Sequence, residues 1–263
     1  MLRRLFSPKR SDGTVRRRDI TDFLATPDHF QPRPGAGPIE QLYFAHEGPV
    51  VHKWHHYLPV YDRHFGPFRD RPRDRPLRFL EIGVFKGGSL SLWRSFFGPE
   101  AVIFGIDVNP DCRALDGVCG GQVRIGSQDD ERFLRGVVEE MGGAIDIVLD
   151  DGSHHAPHVS RSFDVLFPLL SNGGLYMVED LQCAYWSKFG GGYRRPASFV
   201  EKTKRMVDDM NRWWHDAGTS EPAGGQAIGG IHFYDAMVAI EKNTALARPA
   251  HSQLGKGQPR AAA

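Results

Sequence analysis

Cysteine is scarce in this chain: Cys112, Cys119 and Cys183 are the only three in 263 residues, and no CxxC pair occurs. That count excludes a disulfide framework, and an odd, sparse set of thiols suits a reducing cytosol, so a cytoplasmic protein is expected. Charge of one sign is also lacking. Lys plus Arg number 33 against 32 Asp plus Glu, which removes any global bias toward nucleic acid or acidic partners. No run of about 20 apolar residues occurs, so no membrane span is expected. Residues 1–18 lack the apolar core of about 7–15 residues that a secretory signal needs. They carry Arg3, Arg4, Lys9, Arg10, Arg16, Arg17 and Arg18 against Asp12 alone. With few anchors for packing, this stretch reads as a solvated tail rather than an arm for nucleic acid or membrane.

What is present is one chain long enough for a single sizeable core. Residues 1–40 are rich in Arg, Pro and Gly and read as an irregular tail with one short helix near Asp19–Leu24. Apolar and aromatic spacing from His52 to Phe65 predicts a helix ahead of the main sheet, and the Asp-Arg-Pro units of Asp70–Pro76 predict a linker. A βα rhythm then begins. Strands are expected at Leu77–Val84, Val102–Val108, Gln122–Ile125, Ile145–Asp150 and Leu175–Glu179. Helices are expected at Ser89–Phe97, Asp130–Met141, Val159–Leu170 and from Ser198 to about Trp214, the third ended by glycine in Ser171–Gly174. Ile231–Tyr234 and Met237–Glu241 suit an antiparallel hairpin. The alternation means an α/β, doubly wound, mostly parallel sheet. The domain is expected over 41–245, with a helical cover at its N-terminal side, and residues 246–263 read as a frayed end.

Phe79-Leu80-Glu81-Ile82-Gly83-Val84-Phe85-Lys86-Gly87-Gly88-Ser89 is a strand, a glycine turn and a helix start. Glycines there let backbone approach a ligand. The run matches neither GxGxxG nor a GK[ST] phosphate loop. The second strand ends in Ile106-Asp107, and an acid at that tip can accept both hydroxyls of a ribose. Gly126-Ser127-Gln128-Asp129 follows the third strand, where an adenine ring would be held. The three pieces together predict a nucleoside crevice.

Two further strand ends carry acids: Asp150-Asp151-Gly152-Ser153-His154-His155 and Glu179-Asp180. On neighbouring parallel strands they would crowd several carboxylates and an imidazole at one rim. Like charges that close raise each other's pKa, and a hard divalent cation such as Mg²⁺ removes the penalty. Asp151 at an Asp-Gly turn is also open to a plainer reading, as the cap of the following helix. His155 and His158 read as surface or capping residues. Lys53, Trp54, His56 and Tyr57 suit a cover over the crevice and suit core packing equally. Tyr185, Trp186, Tyr193, Trp213 and Trp214 suit an acceptor pocket or a packing surface.

On these residues the chain resembles the class I S-adenosylmethionine-dependent methyltransferases, and among them the metal-dependent macrolide sugar O-methyltransferases of the mycinamicin and tylosin type. The likeness is carried by Glu81–Ser89, Gly105–Asp107, Gly126–Gln128, Asp150–His154 and Val178–Leu181. It implies a Rossmann-like seven-stranded sheet and an enzyme that methylates a sugar hydroxyl of a glycosylated small natural product or glycolipid. It implies Mg²⁺ on Asp151, Glu179 and Asp180, with His154 as general base. Glu81, Gly83, Gly87, Ser89, Asp107, Ser127 and Gln128 would lie along the S-adenosylmethionine, with Asp150 orienting it. Phe85 departs from the family pattern, standing where the middle glycine of the loop is usual. Glu179-Asp180, rather than Asp-Asn, favours the sugar type over the catechol type. An oxidative partner of the cephalosporin-hydroxylase kind and a catalytically silent binding protein share the architecture; the acidic set weighs against the silent one. The expected partner is a small glycoside. Nucleic acid is not expected, since no Asn-Pro-Pro-Tyr type motif occurs. A homo-oligomer is compatible with the sequence.

Overall fold

The computed structural model describes residues 31–70, 72, 74–216, 227–244, 250–252 and 255. The helix expected near Asp19–Leu24 and most of the 246–263 tail lie outside the described residues. Among those described, seven strands form one sheet: β1 (Arg78–Ile82), β2 (Val102–Asp107), β3 (Gln122–Ile125), β4 (Ile145–Asp150), β5 (Leu170–Val178), β6 (Ile228–Tyr234) and β7 (Met237–Lys242). Their order is β3-β2-β1-β4-β5-β7-β6. The first five pair in parallel, while β7 runs antiparallel to both β5 and β6. The expected doubly wound sheet with a C-terminal hairpin is therefore observed.

The sequence accounts for the layering. β4 is buried along its whole length, as a central parallel strand covered on both faces must be. Its one internal acid, Asp146, is held in a fork by Arg75, with Nη1 and Nη2 donating at 2.8 and 2.9 Å, so the Asp-Arg-Pro linker is pinned to the sheet. On one face lie α4 (Glu131–Glu140), α5 (Ala156–Leu166) and α6 (Phe199–Met210), packed through Leu134, Phe163 and Phe199. On the other lie α1 (Pro38–Phe44), α2 (Leu58–Asp70) and α3 (Gly88–Phe97), where Tyr61, Phe65 and Phe79 pack edge-on or tilted around Trp93 as one aromatic block.

Four local readings need correction. The irregular stretch expected up to residue 40 gives way at Pro38 to α1, whose Ile39 is fully buried. The helix expected from His52 starts only at Leu58, after a 3₁₀ turn at His55–Tyr57. The third helix of the βα series begins earlier, at Ala156, with Pro157 in its first turn, where a missing N–H costs no hydrogen bond. It also ends earlier, so Ser171–Gly174 is not its glycine cap. Those residues open β5, which joins β4 at Leu170–Ile145 and recovers register through an irregularity between Ile145 and Ile147. Ser171–Gly174 fall within that irregularity, without ladder partners in β4, and Gly173 keeps a left-handed φ of 73.

β1 lies between β2 and β4, so the chain reverses direction across the sheet at that point. Open α/β sheets bind ligands at such a switch, outside the carboxyl ends of the strands. Ladder hydrogen bonds run one residue beyond the strands at this edge: Gly83 N to Ile106 O, Asp151 N to Ile82 O, Glu179 N to Asp150 O and Gly126 N to Asp107 O, all at 2.8–3.0 Å. They fix the starting direction of every loop that carries a candidate residue.

Candidate active site

A crevice of about 630 Å³ opens at this switch point. Gly83, Ser89, Asp107, Ser127, Gln128, Asp151, His154 and Asp180 all line it. Gly83 has φ +97, and a Cβ there would fall 2.1 Å from the carbonyl oxygen of Asp151. Only glycine fits, because the β1 and β4 loops cross in contact. Asp107 ties down the glycine loop: its Oδ2 accepts from the backbone N–H of Val84 at 2.9 Å and Phe85 at 3.1 Å, and its Oδ1 from Asn109 at 2.8 Å. Phe85 itself stands exposed with φ 52, at the position where the family pattern has glycine.

The remaining cofactor candidates lie just behind the wall. Glu81 is fully buried and accepts from Ser89 Oγ at 2.8 Å and Trp93 Nε1 at 3.1 Å. Burial pushes its carboxyl up to about 7, against the opposing pull of Lys53 and these donors. Gly87 is the N-cap of α3 and lies outside the crevice lining. Asp150 points into the core, where it accepts from Gln128 Nε2, Ser162 Oγ and Tyr176 OH. Burial raises its pKa. Gln128 Oε1 in turn accepts from Ser153 N at 2.7 Å, so Asp150 acts on the crevice through Gln128.

At the acidic rim, oxygen or nitrogen atoms of Asp151, His154 and Asp180 lie within 4.8 Å of one another. Their side chains are 24%, 23% and 25% exposed, half-open to the crevice. His154 Nε2 is 3.8 Å from Asp180 Oδ2. Both residues hold left-handed backbone, φ 57 and φ 53. Tyr57 clamps Asp180 twice, donating its OH to Oδ1 at 2.8 Å and accepting from the backbone N–H at 3.3 Å. Asp151 does not cap α5. His155 is the N-cap residue there and makes no side-chain cap bond.

Glu179 is set apart from this trio. Its carboxylate is buried, accepts from Tyr61 OH through Oε1, and bonds Lys53 Nζ through Oε2 at 2.9 Å. Lys53 also bonds Asp151 Oδ2 at 2.6 Å and lies 3.9 Å from Glu81 Oε1. Burial would lower the Lys53 pKa, but Asp151, Glu179 and Glu81 outweigh it and hold it well above the usual value. Burial pushes Glu179 the other way, upward, against the pull of Lys53. These two tendencies conflict, since one favours the ionised pair and the other the neutral acid. An ammonium seated between two carboxylate oxygens at hydrogen-bonding distance supports the ionised pair.

Lys53 thus belongs to the site and not merely to a cover, and Tyr57 and Tyr61 join it. Their four-residue spacing, which puts side chains on one face of a helical turn, was the available signal. His158 lines the crevice, with Nδ1 3.0 Å from Ser153 Oγ. Among the candidate acceptor aromatics, Trp186 packs with Phe189, whose ring also meets His154 and His155, while Tyr193 and Trp214 are exposed.

Comparison with known proteins accords with this geometry. A family described as methyltransferase domain matches residues 80–181, the span from β1 to the acidic end of β5. A tetracenomycin rhamnosyl 2'-O-methyltransferase of Streptomyces olivaceus is 34% identical over 92% of this chain and 68% of its own length. The chain belongs to the class I S-adenosylmethionine-dependent methyltransferases. Within that family it resembles the sugar O-methyltransferases: the 3'-O-methyltransferase of the same organism is 37% identical over 78% of this chain and 54% of its own length. The mycinamicin methyltransferase MycE, solved with Mg and SAH, superposes with TM-score 0.68 at 34% identity, over 79% of this chain and 55% of its own. The chain spans about half the length of most of these relatives.

Proposed function

We propose that this methyltransferase-family chain is a Mg²⁺-dependent O-methyltransferase that moves a methyl group from S-adenosylmethionine to a sugar hydroxyl of a glycosylated natural product. The observation that carries the reading is the half-exposed Asp151–His154–Asp180 trio lining the same crevice as the glycine loop and Asp107. A nearby imidazole and hard carboxylate oxygens suit proton removal beside a hard divalent cation. Asp151, Glu179 and Asp180 would hold the ion, Glu179 after yielding an oxygen that Lys53 now bonds. Gly83, Ser89, Asp107, Ser127 and Gln128 would hold the cofactor, with Asp107 accepting from the ribose hydroxyls.

When bound, the ion lowers the pKa of a chelating hydroxyl and S-adenosylmethionine supplies an electrophilic methyl group. The chain's own residues do the rest. His154 accepts the hydroxyl proton at Nε2, and Asp180, 3.8 Å away, stabilises the resulting imidazolium. Tyr57 keeps Asp180 facing His154. The close crossing at Gly83 fixes the distance between the cofactor loop and the acidic loop, so donor and acceptor share one frame.

The acceptor class is supported by relatives whose names specify rhamnosyl and olivosyl groups and by one named for the 2'' position of mycinamicin VI. Among the described residues no helix is long and apolar enough to cross a membrane. The three cysteines are free and buried, as a cytoplasmic setting would leave them. A methyl-transfer screen with labelled S-adenosylmethionine over rhamnosyl and other deoxysugar glycosides, with EDTA and with Mg²⁺ restored, tests the reading. Label should appear on the sugar only with Mg²⁺. Transfer indifferent to EDTA would remove the metal from the account.

A further inference from the structure

We propose that Lys53 is the exchangeable counter-ion of the acidic rim: it competes with the divalent cation for Asp151 and Glu179, and so sets how tightly that cation is held. The proposal rests on the reading of Asp151, Glu179 and Asp180 as a divalent-cation site.

The argument is one of oxygen inventory. An ammonium offers three donors and no acceptor. Lys53 Nζ faces Asp151 Oδ2 at 2.6 Å, Glu179 Oε2 at 2.9 Å and Glu81 Oε1 at 3.9 Å, with its side chain 3% exposed. Glu179, whose side chain is 1% exposed, has its other oxygen occupied by the Tyr61 hydroxyl. Both of its oxygens are therefore engaged. A cation would approach Glu179 through Oε2, where it meets Lys53, because the Tyr61 bond on Oε1 lies on the buried side, within the aromatic block of α2 and α3. Asp151 meets Lys53 through Oδ2, so there the two cations would share or contest one carboxylate. Even a cation that left these two bonds intact would sit on carboxylates already shared with a positive charge, and like charges a few ångströms apart in a buried setting repel strongly.

A purely structural role for Lys53, gluing buried acids together, makes the opposite forecast. In that case the lysine orients Asp151 and Glu179, and removing it weakens the site. Position also favours exchange. Lys53 ends a segment, Val50–Lys53, that lines the crevice itself, and the carbonyls of Pro49 and Val50 press on Gly88, where a Cβ would lie 2.4 and 2.3 Å away. The counter-ion is carried on the crevice wall, next to the space a cation would enter.

Calorimetric titration of Mg²⁺ into the full chain at fixed pH decides between the two, using wild type, Lys53→Met and Lys53→Arg. Competition predicts that Lys53→Met binds Mg²⁺ at least about tenfold more tightly, and that Lys53→Arg, keeping the charge, stays near the wild-type affinity. Unchanged or weaker binding in Lys53→Met overturns the competition alone. Absence of binding in all three proteins overturns the cation-site reading with it. Should Lys53→Met not fold, the wild type still answers through the NMR signal of the Lys53 ammonium. Loss or shift of that signal, saturating together with Mg²⁺ binding, supports displacement; an unperturbed signal under saturating Mg²⁺ overturns it.

Discussion

Phe85, His154 and Asp180 each hold a left-handed backbone conformation that side-chain-bearing residues seldom adopt. Such strain persists where surrounding structure over-determines it, and all three line the same crevice. For Asp180 the restraint is Tyr57, bonded to both its side chain and its backbone. Tyr57→Phe should therefore loosen Mg²⁺ binding by about 10–100-fold, the usual cost of losing a partner that orients a metal ligand, with S-adenosylmethionine affinity unchanged. Parallel titrations of both ligands check this. His154→Ala should lower kcat by about 10²–10⁴-fold while leaving both affinities intact; steady-state kinetics beside calorimetry separate a base from a ligand. Glu81 makes a prediction about pH. Its folded pKa, about 7, lies above the ordinary 4.5. A raised carboxyl favours the fold at low pH, so its contribution is full below about 4.5 and is lost as pH rises through about 7. The stability difference between Glu81→Gln and wild type should therefore grow in favour of the variant across that window, by about 3 kcal/mol, and level off above it. Denaturant unfolding at a series of pH values measures it; a difference independent of pH contradicts the burial argument.

Elements were legible where one physical demand dominated. Ile145–Asp150 read as a strand because a buried parallel strand is apolar on both faces, and it appears within the expected bounds, as does the short edge strand Gln122–Ile125. The acids closing β4 and β5 were legible for the same reason: a charge that ends an apolar run marks the rim. Ser171–Gly174 misled in place rather than kind: Gly173 is left-handed as expected, yet the turn interrupts β5 instead of capping the helix, because the pairing of Leu170 with β4 is not visible in sequence. Lys53 was ambiguous because its meaning depends on Glu179, 126 positions away, and no local pattern encodes that contact. Asp150 read as orienting the cofactor; it is buried and reaches the crevice through Gln128, which donates to its carboxylate and lines the crevice. The crossing of the β1 and β4 loops gives the test at this scale. Gly83→Ala should destabilise the fold by about 3 kcal/mol or more, since it combines a left-handed φ with a backbone clash, and should abolish S-adenosylmethionine binding in any folded fraction. Chemical denaturation and calorimetry measure the two effects; a variant of wild-type stability would show that the loops are free to part.

At the scale of the molecule, two cores on either side of one sheet hold the crevice open at the switch point while burying the residues that position its rim. Tyr57 and Tyr61 belong to the core on the α2 side, yet their hydroxyls end on the acids of β5. Packing and chemistry are joined there, so the helical cover is part of the site rather than a lid laid over it. The matched part of this chain covers about half of most of these relatives, and it carries the cofactor loop and both acidic strand ends. Those strand ends are proposed to hold a divalent cation next to His154. Titration of Mg²⁺ into wild type and into the Asp151→Asn, Asp180→Asn double variant, each saturated with S-adenosylhomocysteine, tests it most directly. Binding to one site in the wild type and none in the variant is the predicted result; equal Mg²⁺ affinity in the two proteins would contradict the claim.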